Sequence, residues 1–105
     1  MSDARYQVLE MLLMELCQQM QSHKLWSERT PSASALQSSQ PFCVDTLSFE
    51  QWIQFIMLPR FQQMIEQRLP LPEQCDILPM AQEMWKQDHL AVQNCIEKID
   101  ILITK

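Results

Sequence analysis

The chain contains no glycine. Phosphate-cradling loops, the dinucleotide fingerprint and the nucleophile elbow of serine hydrolases all need backbone geometry that only glycine adopts freely, so those chemistries are excluded. Tight two-residue hairpin turns favour Asn-Gly or Asp-Gly, and their absence argues against a sheet. Clustered basic residues are lacking too: eight Lys and Arg stand against thirteen Asp and Glu, a net charge of -5, and they are scattered. A protein that grips nucleic acid through its phosphates needs a cationic stripe, so direct nucleic-acid binding is not expected. No Cys-x-x-Cys pair occurs among Cys17, Cys43, Cys75 and Cys95, and the close ligand pairs typical of zinc sites are missing. No cofactor is called for. Neither a hydrophobic leader behind a basic start nor an apolar run of about 18 residues is present, so the expectation is no membrane span and a cytoplasmic setting with reduced thiols.

What remains is 105 residues, 47% of them hydrophobic, a composition that fits one small globular domain over residues 1–105. The periodicity is helical throughout. A first helix is expected from a cap at Ser2 or Asp3 to about Gln21, with Tyr6, Leu9, Leu12, Leu13, Leu16, Cys17 and Met20 on its inward stripe. Met11 and Met14 fall on the opposite side. Flexible thioethers one turn apart suit an adaptable contact surface. The serine-rich residues 27–39 form a long connection, expected to lie ordered over a helix face with Trp26 and Leu36 as pegs.

The next helix opens at Ser48, where Ser48 and Gln51 are spaced as a capping box. Phe49, Trp52, Ile53 and Ile56 form its expected core stripe, Trp52 being the anchor, while Phe55, Met57 and Leu58 extend apolar character almost all round. Pro59 lacks the backbone donor and crowds the preceding turn, which predicts a kink or break there. Leu69-Pro70-Leu71-Pro72 is too rich in proline for a helix and reads as an extended crossing. Pro79 suits the first turn of a short helix carrying Ile77, Leu78, Ala81, Met84 and Trp85. Asp88 is the expected cap of a last helix that turns Val92, Cys95, Ile96, Ile99, Leu102 and Ile103 inward. The fold class is therefore all-α: a four- to five-helix bundle with a proline kink or break in the central helix.

Chemistry is sparse in this frame. Asp45, Glu50, Arg60, His23 and His89 are the polar candidates, and no spacing among them matches a catalytic constellation. His89, beside Asp88, reads as decoration of a first helical turn. Asp45 and Thr46 suit bracing of the turn before the helix by side-chain to backbone hydrogen bonds. Arg60 suits either an ion pair with Asp45, which would brace the loop against the helix, or a free cation awaiting a ligand, and the brace is preferred.

The ordered run Gln40-Pro41-Phe42, Asp45-Thr46, Trp52-Ile53-Gln54, Ile56 and Pro59-Arg60, continued by Leu71-Pro72, resembles the YqcC-like family, small all-helical bacterial proteins of uncharacterised function. The resemblance implies an all-helical bundle in a proteobacterial cytoplasm, no established catalytic residues, and an association with tRNA modification, since family genes often neighbour one for a tRNA pseudouridine synthase. The expected function is a non-catalytic protein-interaction or accessory module. The alternative is a small-ligand or RNA-end binding protein assisting tRNA modification. The candidate interaction surface is Gln40, Phe42, Asp45, Thr46 and Arg60, with Met11 and Met14.

Overall fold

A computed structural model describes residues 4–104. The expected cap at Ser2 or Asp3 lies outside the described residues. Helix α1 covers Arg5–Ser22, a single turn α2 covers Ala33–Leu36, and a 3-10 turn covers Pro41–Cys43. The central helical run begins as α3, Phe49–Trp52, passes through a π-helical turn, Ile53–Met57, and continues as α4, Leu58–Gln67. Helices α5, Leu78–Trp85, and α6, Leu90–Thr104, follow. No strand occurs among the described residues, and none of their helices is long and apolar enough to cross a membrane.

α1 and α6 lie along one another in opposite directions. At one end the Arg5 guanidinium donates to the Ile103 carbonyl at 3.3 Å, placing a cation on the carbonyl end of α6. At the other end His23 meets His89. Leu9, Leu13, Leu16 and Met20 of α1 are buried against Val92, Cys95, Ile96, Ile99 and Ile103 of α6, with Leu12, Cys17 and Leu102 half-buried at the flanks and Tyr6 buried nearby. α4 closes the third side of α1. Its end is pinned there by the Tyr6 hydroxyl, which donates to the Leu69 carbonyl, and by the Arg68 guanidinium 5.2 Å from the Tyr6 ring centre.

The irregularity expected at Pro59 takes the form of the π turn, and the helix runs on without a break. The Leu58 amide bonds back to the Ile53 carbonyl, five residues earlier, so the turn ahead of the proline is wider than an α turn. Widening shifts the helix phase. The buried line becomes Phe49, Ile53, Met57, Leu58 and Phe61, whereas Ile56 and Trp52, assigned to the core from an ideal wheel, are half-buried on the flank. Similarly Ala81 and Trp85 of α5, with Ile77 just before it, are buried while Met84 is turned out.

Without glycine, the left-handed positions that end helices fall to residues with a Cβ. Arg68 (φ 53°) closes α4, its amide bonding the Ile65 carbonyl and the next amide bonding the Met64 carbonyl at 2.9 Å. Lys24, Lys86 and His89 also have positive φ. Each such residue costs about 1–2 kcal/mol of conformational energy that surrounding contacts must offset. Around Lys86 and His89 that support is visible. The buried Gln93 side-chain amide donates to the Lys86 carbonyl at 3.0 Å and to the Asp88 carbonyl at 2.8 Å. Asp88 is thus engaged through its carbonyl; the expected side-chain cap on α6 is not what forms. The first backbone bond of that helix runs from the Gln93 amide to the His89 carbonyl.

Asp100, on α6, supplies the N-terminal cap of α5 from a different element. Its carboxylate accepts from the Ile77 amide at 3.0 Å, the Leu78 amide at 2.7 Å and the Cys75 thiol at 3.1 Å. Pro79 in the first turn has no amide to satisfy, so the carboxylate takes up the donors that precede it.

Candidate functional site

The predicted capping box forms: the Ser48 hydroxyl accepts from the Gln51 amide at 3.2 Å, and the Ser48 amide donates to Gln51 Oε1 at 3.0 Å. One turn later Gln54 reaches out to the long connection and bonds both backbone groups of Ser27, each at 2.8 Å. That pair, with half-buried Leu25 and Trp26, lays residues 27–39 over the central helix as expected.

The chain then enters the 3-10 turn with Phe42 (φ 55°) and Cys43 (φ 49°) both left-handed. Two adjacent side chains in that region are costly, and packing offsets the cost. Cys43 is buried, and the Phe42 ring meets Trp52 edge-on at 4.7 Å between centroids and Phe49 at 6.1 Å. Thr46 ties the turn to the preceding loop by donating to the Ala35 carbonyl at 2.7 Å, and Ser38 donates to the Asp45 carboxylate.

These links set the walls of a cleft of about 560 Å3 between the loop and the central helix. Phe42, Trp52, Phe55 and Ile56 line it as an apolar face, and Ser38, Gln40, Arg60 and Gln63 add polar groups. Arg60 is exposed. The preferred ion pair is not formed: Asp45 is taken by Ser38, and Arg60 has no hydrogen-bond or ionic partner among the described residues. Arg60 and Trp52 also line a neighbouring hollow of about 220 Å3 with Met57, Phe61, Met64 and Pro72. A planar five-donor cation beside aromatic faces can recognise carboxylate, phosphate or a backbone carbonyl.

Of the residues singled out from the sequence, Gln40, Phe42 and Arg60 are brought to one cleft. Asp45 and Thr46 are exposed braces of its loop and do not line it. Met11 and Met14 are exposed, 70% and 60%, as the helical spacing requires. Met14 lines a separate cleft between α1 and α4 with Glu10, Cys17, Gln62, Ile65 and Glu66. The cleft also takes in residues outside the candidate surface, among them Ser38, Trp52, Phe55, Ile56 and Gln63. For Phe55 and Ile56 the signal was the apolar character spreading round the helix ahead of Pro59, without a phase to say which side faced out; the polar Ser38 and Gln63 carried none.

Thiol chemistry is suppressed at three cysteines. Burial, then the hydrogen bond and charge of Asp100, push the Cys75 thiol far up from its ordinary value; burial and then Glu15 push Cys95 up to about 11; burial raises Cys17. A thiol held protonated is a poor nucleophile and a poor metal ligand. No group of three or more metal-ligating side chains gathers among the described residues.

Residues 8–102 match the family DUF446, described as tRNA pseudouridine synthase C. An uncharacterized protein of Haemophilus influenzae is 38% identical over 68 residues, covering 65% of this chain and 64% of that protein. The uncharacterized protein YqcC of Escherichia coli is 29% identical over 99 residues, covering 91% and 84%. A tRNA pseudouridine synthase C of Pectobacterium carotovorum is 31% identical over 61 residues, which cover 58% of this chain and 16% of the synthase. The solution NMR structure of YqcC from E. coli superposes with a TM-score of 0.85 at 24% identity, covering 98% of this chain and 91% of that one. The central run of residues 40–60 thus resembles YqcC because the chain belongs to the DUF446 family and has the fold of YqcC.

Proposed function

We propose that this chain is a non-catalytic accessory module of tRNA modification that docks a tRNA pseudouridine synthase through the cleft around Arg60. The observation that carries this reading is Arg60, without a partner among the described residues, set beside Phe42, Trp52, Phe55 and Ile56. Arginine and large aromatic side chains dominate the energetic centres of protein interfaces, since they bury much area at small entropic cost and bring directional donors. The partner is suggested by the family description and by the Pectobacterium synthase, where the segment similar to this chain makes up 16% of a longer polypeptide. A net charge of -5 disfavours the tRNA backbone as the direct partner. The cytoplasm, where tRNA is modified and thiols stay reduced, is the compartment this reading requires.

A second reading places a small anion or an RNA end in the same cleft, favoured by Ser38, Gln40 and Gln63 around Arg60 and by a volume within the range of small-ligand sites. Mixing the purified chain with the tRNA pseudouridine synthase of the same cell separates the two. A 1:1 complex in size-exclusion chromatography, lost in Arg60→Ala and Phe55→Ala, supports docking. RNA or a metabolite retained by the chain from native cells, and released by the same substitutions, supports the second reading. Neither outcome with folded protein would discard the cleft as a functional surface.

A further inference from the structure

His23 and His89 are sixty-six residues apart in sequence, yet their Nδ1 atoms stand 3.1 Å from one another and their rings meet edge-on at 5.2 Å. Both are half-buried. Each is held by its backbone. His23 follows α1 directly, its amide bonded to the Gln19 carbonyl at 3.0 Å. His89 adopts φ 57°, and its loop is fixed by the two bonds from buried Gln93. Histidine is among the residues that tolerate this conformation best. On its other side the His89 ring packs edge-on against Trp85 at 5.6 Å, so its rotation is restricted.

Two neutral imidazoles in this arrangement share one hydrogen between facing nitrogens, with the second lone pair directed at the same point. A metal ion at that point, with ordinary bonds of about 2.0–2.1 Å to each nitrogen, would subtend an angle of roughly 100°, within the range of tetrahedral and cis-octahedral sites. Bridging needs the shared hydrogen to move from Nδ1 to Nε2 of its ring by tautomerisation, so that both rings stay neutral and both Nδ1 lone pairs are free, together with sub-ångström ring adjustments. We propose that His23 and His89 form a two-histidine site for a borderline divalent transition-metal ion, zinc or nickel in class, that staples the end of α1 to the start of α6. Imidazole pairs select this class over magnesium or calcium, which prefer oxygen. With two protein ligands, the remaining coordination positions are taken by water or by a donor from outside the chain. The pair joins the two ends across the longest loop the fold closes between ring side chains, so the ion stabilises the native state by mass action.

The test is zinc titration of the reduced full chain by calorimetry and thermal denaturation, with His23→Gln and His89→Asn as variants. The expected result is one ion bound per chain, a melting temperature that rises with zinc, and affinity lowered roughly tenfold or more in each variant because either change destroys the chelate. Cobalt in place of zinc should give visible absorption without a thiolate charge-transfer band. Equal affinity in the wild type and both variants would overturn the proposal, as would a thiolate band, which would assign the ion to cysteine. If a variant fails to fold, the wild type still decides: nitrogen NMR of the two rings must show the Nδ1 resonances of His23 and His89 shifting with zinc, and unchanged ring resonances alongside bound zinc refute the site.

Discussion

The α5–α6 corner and the cleft beneath residues 36–43 are built from similar parts and finished in opposite ways. At the corner three polar side chains are consumed internally: Asp100 accepts from two backbone amides and a thiol, Gln93 donates to two carbonyls, and Thr104 both accepts from the Cys75 amide and donates to its carbonyl. At the cleft, backbone strain at Phe42 and Cys43 and a widened helical turn are spent on holding aromatic side chains half in water, and Arg60 is left without a partner among the described residues. The first arrangement is what a structure needs to close itself. The second is what it needs to meet something else, because unsatisfied donors and half-buried aromatics gain most when a partner completes them.

The sharpest way to break the comparison is to remove the corner's central acceptor. Asp100→Ala leaves the Ile77 and Leu78 amides and the Cys75 thiol without their acceptor in a buried setting, and should cost about 3–5 kcal/mol in urea unfolding. A loss below about 1 kcal/mol would show that water replaces the carboxylate and that the corner is not closed as described.

Two adjacent residues sharpen the same contrast. Ile53 is fully buried on the phase set by the π turn, and Ile53→Ala should cost about 2–4 kcal/mol. Trp52, which ideal helical spacing makes the core anchor, sits half-exposed at the cleft, so Trp52→Ala should cost less than Ile53→Ala despite removing more atoms, and should weaken partner binding more. Reversal of that order in matched unfolding curves would return Trp52 to the core.

Alkaline pH offers a smaller effect on the closed side. The Cys95 thiol ionises near 9.0 when unfolded and is raised to about 11 by burial and by Glu15. Between those values only the unfolded chain releases this proton, so the contribution is complete below pH 9 and is lost as pH rises through about 11. Stability should fall over that window, and fall less steeply in Cys95→Ala. An equal slope in the two proteins would assign the alkaline loss to other groups.

Much of this contrast was legible in the sequence on one side and hidden on the other. The capping box at Ser48 and Gln51, the α1 and α6 stripes and the outward Met11 and Met14 follow from local spacing, which a helix translates directly into position. The Asp100 cap and the His23–His89 pair depend on partners from other elements, 22 to 25 and sixty-six residues away, that no periodicity encodes. The π turn defeats a wheel drawn at fixed pitch: Pro59 announced an irregularity there, but whether the chain would break, bend or widen was decided by the need to bury Met57, Leu58 and Phe61 together. The left-handed Phe42 and Cys43 had no glycine to mark them.

The smallest stability effect carries the most functional weight. Arg60 is exposed and makes no internal bond among the described residues, so Arg60→Ala should change unfolding free energy by less than about 0.5 kcal/mol. Asp45 is already engaged by Ser38, and a double-mutant cycle between Asp45 and Arg60 should show coupling within about 0.5 kcal/mol of zero. If both hold while synthase binding is lost in Arg60→Ala, the guanidinium acts across an interface and contributes nothing to the fold that presents it. Coupling of about 1 kcal/mol or more would instead mean that the two charges pair in solution, and the cleft would then be a braced loop of the same kind as the closed corner. Charge reversal separates a partner's carboxylate from an apolar contact that merely uses the arginine stem. Arg60→Glu should bind worse than Arg60→Ala in the first case and about as well in the second, because repulsion is added only where an opposite charge was being met.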